Sequence, residues 1–331
     1  MTFGSRIFAT LLVCALPLGA QEARHDSSAS SAAGAEITRS LTGKEPAHGP
    51  AAREDIIMPH ITDSRHVEVP CFNAHWGCEW DLPRWAPLQI GGRTIDLSPT
   101  KHVVMLALAA ILCAVTLITA ASAHRRHHHE VGRPKGFAAG IEGVVLFVRD
   151  EVILKNVGHH GQGYVPYLLT LFFFILFANV LGLSPYGSTA TGNISVTATL
   201  AIMSFIMIEV AGMRTLGTGY WSTIFYWPGD MKFGFMKVVL FLILTPVELL
   251  GKFTKPFALA IRLFANMTAG HVIVLAFIGM IFTFGSWVVA PAPFVMAVGI
   301  MLLEVLVSLL HAYIFTLLTS VFIGQIREAH H

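Results

Sequence analysis

The stretch from Phe233 to Phe284 stays mainly apolar for far longer than the roughly 20 residues that one perpendicular bilayer crossing needs. A run of this length must tilt steeply or break, and Pro246 and Pro256 are its candidate bends. Its second half reads PFALAIRLFANMTAGHVIVLAFIGMIF, from Pro256 to Phe282, where Arg262 and His271 are the only groups able to carry charge. A guanidinium stays protonated at any biological pH. Placing one near the bilayer centre costs about 2.5–3.5 kcal/mol on insertion scales. A charge kept there against that cost points to function.

The 331-residue chain is 54% hydrophobic and only 13% charged, with a mean hydropathy of +0.64. Soluble domains carry about 25% charged residues. This is the composition of an integral membrane protein. A net charge of +2 argues against a nucleic-acid partner. No glycine-rich phosphate loop follows a strand pattern, so neither a nucleotide site nor a cofactor is expected, and no metal-type CxxC pair occurs.

Residues 1–20 combine Arg6, a short apolar core and small residues before Gln21, the pattern of a signal peptide; an uncleaved first helix is the alternative. Residues 21–100 form an extracytoplasmic segment. Positions 21–65 have the composition of disorder, and 66–100 hold Trp76, Trp80 and Trp85 with a short strand expected within Leu88–Leu97. Cys71 and Cys78 are either a disulfide or two free thiols. The membrane domain is expected over 101–331.

Spans are expected at Val103–Ala123, Tyr164–Leu183, Ile194–Met213, through 233–284, and at 294–324. Arg125, Arg126, Arg133, Lys135, Arg149 and Lys155 place the 124–163 region inside. Within it, His124–His129 reads as a basic flank rather than a metal site. The expected fold is an all-α polytopic membrane protein. It has about five passages, a surface amphipathic helix over 137–156, and a long tilted helical hairpin at the C-terminus. The N-terminus lies outside and the C-terminus inside.

Helix geometry sorts the buried polar groups. Glu248, Lys255 and Arg262 are spaced by seven and Asn266 follows by four, so all fall on one stripe. His271 is rotated to roughly the opposite side. On the last helix Glu304 and His311 share a face. Antiparallel neighbours at equal depth have a midpoint in the connecting loop. The His271/Glu304 and Arg262/His311 midpoints both fall within Gly285–Pro293. His271 with Glu304 makes an acid–base couple, and a neutral His311 can accept from Arg262 without cancelling its charge. Any one of these groups alone could be a satisfied core residue. Lys252 and Lys255 can snorkel to the inner interface, and Glu209 is either a channel group or a helix-end charge.

LAIRLFANMTAGHVIVLAF resembles the signature of subunit a of the F-type ATP synthases. TPVELLGKFTKPFALAIRLFANM (Thr245–Met267), LLEVLVSLLHAYIFTLLTSVFI (Leu302–Ile323), FANVLGLSPY (Phe177–Tyr186) and TGNISVTATLAI (Thr191–Ile202) extend the likeness. The resemblance implies that Arg262 is the essential stator charge, with polar family positions at Glu248, Asn266, His271, Glu304 and His311. Asn179 matches an asparagine of the second span, and Asn193 a polar residue of the outer channel. Some members carry the His271 and Glu304 residue types swapped, and Gly182 stands where some carry an acid.

A c-ring of small subunits would then rotate against this chain. The b subunits of the peripheral stalk would be neighbours in the bilayer of a bacterial inner membrane. The translocated ion would be H⁺, with Na⁺ left open because ring residues set that choice. The outer path is expected through Asn193, Glu248, His271 and Glu304. The competing classes are a secondary transporter with an intramembrane Arg/carboxylate site and a membrane scaffold without transport.

Overall fold

The computed structural model describes residues 63–69, 78–85, 88–90, 93–95, 98–127, 137–158, 161–184, 189–225 and 234–328. The signal-like segment, nearly all of 21–65, Cys71 and the end of the histidine cluster lie outside these residues.

Two antiparallel hairpins precede the helices. β1 (His66–Val69) pairs with β2 (Cys78–Asp81), and β3 (Leu88–Ile90) with β4 (Arg93–Ile95). The strand expected within Leu88–Leu97 is thus a two-stranded antiparallel ribbon. The first hairpin is docked on the helical bundle by polar contacts. The Lys101 amide donates to the Ser64 carbonyl at 2.9 Å, and the His102 amide to Asp63 Oδ1 at 3.3 Å. Asp63 thereby satisfies a donor that the start of a helix leaves orphaned.

Among the described residues the longer helices are α1 (Lys101–His127), α2 (Phe137–Phe147), α3 (Val165–Gly182), α4 (Ile194–Leu216), α5 (Gly234–Phe284) and α6 (Pro291–Glu328). Among the described residues, five helices are long and apolar enough to cross a membrane. The chain is a polytopic, mostly helical membrane protein. The centre is α3, which is apolar on every side. Leu168, Leu171, Ile175 and Asn179 on it are fully buried, with α1 on one flank and α6 on the other. On α1, Ile111, Val115 and Ile118 form an uncovered stripe. That is the face a lipid-contacting helix presents.

α5 is helical through both prolines. At 1.5 Å per residue its 51 residues span roughly 76 Å, more than twice a hydrocarbon core of about 30 Å. Of the two expected solutions, a break and a tilt, the helix shows no break. It packs against α4 and α6.

α2 runs on through a π-helical stretch, Val148–Leu154, into a last turn at Lys155–Val157. Val148, Val152, Ile153 and Val157 are buried while Asp150, Glu151 and Lys155 are exposed, the two-faced pattern expected over 137–156. This segment is clamped to the end of α6. Ser320 Oγ donates to the Val152 carbonyl at 3.3 Å, and Arg327 Nη1 to the Val157 carbonyl at 2.9 Å. A Cβ added to Gly324 would overlap the main-chain oxygen of Asn156, and neither backbone can step aside. Gly324→Ala is therefore expected to destabilise the fold by about 1–3 kcal/mol. Gly143→Ala, whose Cβ meets nothing within 4 Å, should not. Thermal unfolding of the solubilised protein compares the two.

Candidate functional site

The polar groups singled out in the sequence fall into two clusters, with Arg262 apart from both. The first cluster lies where α3, the Ala190–Gly192 turn, α5 and α6 meet. Asn179 is fully buried. Its Oδ1 accepts from Thr191 Oγ1 at 2.8 Å, and its Nδ2 faces the Ser308 carbonyl at 3.5 Å. Asn193 is the N-cap of α4, its side chain accepting from the Ser195 amide at 2.9 Å. Thr268 Oγ1 donates to the Gly192 carbonyl at 3.3 Å, which ties this turn to α5 one helical turn before His271. Both asparagines expected in the proton path thus have structural bonds here.

Glu304, 6% exposed, lays its carboxylate against the backbone of Gly270, the residue before His271. The level expected from the hairpin is therefore met to within one residue. The other expected level partner differs. His311 bonds to Asn266 rather than Arg262, with Nε2 2.6 Å from Asn266 Nδ2. Its Nδ1 lies 2.7 Å from the Val307 carbonyl. A carbonyl can only accept, so Nδ1 carries the proton, and Nε2 then accepts from the Asn266 amide. This arrangement satisfies both nitrogens of a neutral imidazole. Azimuth explains the difference. Arg262 points to the uncovered side of α5, while Asn266, one turn on, borders both that side and α6.

Arg262 itself is exposed, and no hydrogen bond or ion pair joins it to any described residue. Around it on the same helical face, Ala258, Ala265 and Ala269 are also exposed. Small residues at i−4, i+3 and i+7 let another helix approach closely. Their spacing was available in the sequence as a signal and is part of the site.

The second cluster lies toward the other end of α5. A cavity of about 220 Å³ is lined by Glu209 of α4, Glu248, Lys252 and Lys255 of α5, and Phe322 and Gln325 of α6. Lys252 Nζ is 3.7 Å from Glu209 Oε1 and donates to Tyr220 Oη at 2.9 Å. Lys255 Nζ sits 4.6 Å from the centre of the Phe322 ring, in cation–π contact. Glu209 is thus an ion-pair partner of Lys252. Tyr220, which the sequence reading did not single out, is one of its supports. Glu248 was expected in one path with Asn193, His271 and Glu304. In the structure it lines this cavity, roughly 34 Å along α5 from His271. Lys255 and His271 are roughly 24 Å apart along the helix. Among the described residues no group of histidines, cysteines or acids could hold a metal.

The ATP synthase A chain family matches residues 103–324, which include Arg262, the first cluster and all the charged groups of the second. Similar proteins include ATP synthase subunit a of Myxococcus xanthus, 45% identical over 275 residues covering 76% of this chain and 86% of the relative. ATP synthase subunit a 2 of Chlorobaculum tepidum is 43% identical over 298 residues, covering 86% and 78%. ATP synthase subunit a of Anaeromyxobacter dehalogenans is 42% identical over 275 residues, covering 81% and 68%. With the match running from α1 into the last turns of α6 and taking in the arginine-bearing hairpin, this chain belongs to the ATP synthase A chain family.

Proposed function

We propose that the chain is the proton-translocating stator of an F-type ATP synthase, working against a rotating c-ring and held by b subunits of the peripheral stalk. The observation that carries this reading is Arg262, a fixed positive charge on an uncovered face of small residues, with no hydrogen-bond or ion-pair partner among the described residues. Such a charge suits a partner that arrives from outside. A ring carboxylate passing it would be held deprotonated by the guanidinium and give up its proton. The two polar clusters would serve two half-channels. The outer one passes His271 and Glu304, near Asn193. The inner one opens through the cavity at Glu248. Arg262 between them keeps protons from crossing without the ring. Asn266 and His311 hold each other and give α5 a fixed neutral neighbour beside the charge. The driving force is about 2.3 kcal/mol per charge per 100 mV.

The proposed location is a bacterial inner membrane, with a signal peptide over 1–20, the segment 21–100 extracytoplasmic and the membrane domain at 101–331. The C-terminus is cytoplasmic. ATP chemistry would belong to other subunits. A secondary transporter would use a broken helix to build its site. The continuous α5 does not supply one.

Isolation of the tagged chain from its membrane under mild detergent tests the reading. ATP-hydrolysing subunits and a ring of small subunits should come with it in fixed proportion. Recovery of the chain alone, with an Arg262-dependent uptake of an organic anion, would overturn it.

A further inference from the structure

Glu248 and Lys252 stand four residues apart on α5, with the acid N-terminal to the base. That is the favoured arrangement for an intrahelical ion pair. The pair is not made. Lys252 turns instead toward α4 and the segment after it, 3.7 Å from Glu209 and 2.9 Å from the Tyr220 hydroxyl, with its Nζ 4.5 Å above the Tyr220 ring. Tyr220 is a firm anchor. It is 3% exposed, and a Cβ added to Gly212 would come within 2.7 Å of its ring. The second lysine of the cavity is engaged elsewhere too, over Phe322. Four charged groups and Gln325 line this space. Of the two acids in this space, Glu248 has no ion pair among the described residues.

We infer that Glu209 and Tyr220 divert Lys252 from Glu248, so that Glu248 remains an open proton acceptor in the inner cavity. This deepens the stator reading and rests on it. Glu209 is a positioning residue in this account. It touches no transported proton, and its negative charge matters because it outcompetes Glu248 for one ammonium. With Glu209 neutralised, Lys252 falls back on its intrahelical partner. The Glu248 carboxylate is then masked by a permanent positive neighbour.

The test uses the whole ATP synthase in inverted membrane vesicles, with ATP-driven proton pumping measured per ATP hydrolysed. Glu209→Gln should lower that ratio about fivefold, the size of effect an interfacial ion pair has on a carboxylate's proton affinity. The double variant Glu209→Gln/Lys252→Gln should recover to within about twofold of the parent, because no ammonium is left to mask Glu248. A purely structural ion pair predicts the opposite, a double variant no better than Glu209→Gln, and that result overturns the inference. A full loss in Lys252→Gln alone also overturns it, since Lys252 would then act directly. If Glu209→Gln fails to assemble, Tyr220→Phe removes the other tether, and the same rescue by Lys252→Gln is expected. Failure of the stator reading looks different. The parent would not pump, or Arg262→Ala would pump as well as the parent.

Discussion

Arg262→Ala is expected to abolish both ATP-driven proton pumping and proton-driven ATP synthesis, with the subunit still inserted and assembled. The fold does not depend on the guanidinium. Arg262 is exposed and bonds to no described residue, so its removal breaks no hydrogen bond or ion pair among them. Removal also relieves the ~2.5–3.5 kcal/mol that a central arginine costs on insertion scales. A null phenotype would therefore report lost function rather than lost structure. An opposite charge at contact distance changes a carboxylate's proton affinity about ten- to a thousandfold. Without it, a passing ring carboxylate would keep its proton and no net transfer would follow. Fluorescence quenching in inverted vesicles reads pumping, and ATP formation after an imposed gradient reads synthesis. Subunit abundance in the membrane controls for assembly. Retention of both activities would end the proposed mechanism.

How far the sequence could be read depends on whether a feature is local or long-range. The spans, the long α5–α6 hairpin and the two-faced helix over 137–156 follow from apolar length and periodicity, which are local. The depth at which Glu304 meets α5 was legible to within one residue, because a short loop fixes the register of two antiparallel helices. The partner of His311 was not. Depth arithmetic places Arg262 opposite it, but a side chain also has a direction around its helix. Arg262 points away while Asn266 reaches across.

Pro246 and Pro256 remove two main-chain donors from α5, yet the helix continues. The supports of the inner cavity were the least legible. Tyr220 meets Lys252 across a separation of 32 residues, and Glu209 meets it across a helix interface. No periodicity within one element encodes such a meeting. The same holds for Asn179, whose bonds to Thr191 and Ser308 give a residue expected in the proton path a core role.

Gly270→Ala should be the second large loss, with an unusual signature: pumping falls while stability does not. The backbone at Gly270 is ordinary helix, so a methyl group there brings no conformational strain. Replacing glycine by alanine inside a helix favours the helix by about 0.8–1 kcal/mol. The space is what forbids it. The Glu304 carboxylate already occupies the position a Cβ would take, so the acid must rotate away. Unlike the main-chain oxygen that faces Gly324, a side chain can do this without unfolding the hairpin. Glu304 would then leave the place beside His271 in which the outer half-channel is proposed to hold it. Misplacing a proton-transfer group by about 1 Å can cost 10²-fold, so a loss of about tenfold or more in pumping is expected, with the melting temperature unchanged or raised. Gly270→Ala/Glu304→Asp carries the discriminating result. The shorter acid gives back the space the methyl group took, and partial recovery of pumping means that the position of the carboxylate was at fault. A Gly270→Ala variant that pumps normally would show that the fit of Glu304 against Gly270 has no part in proton transfer.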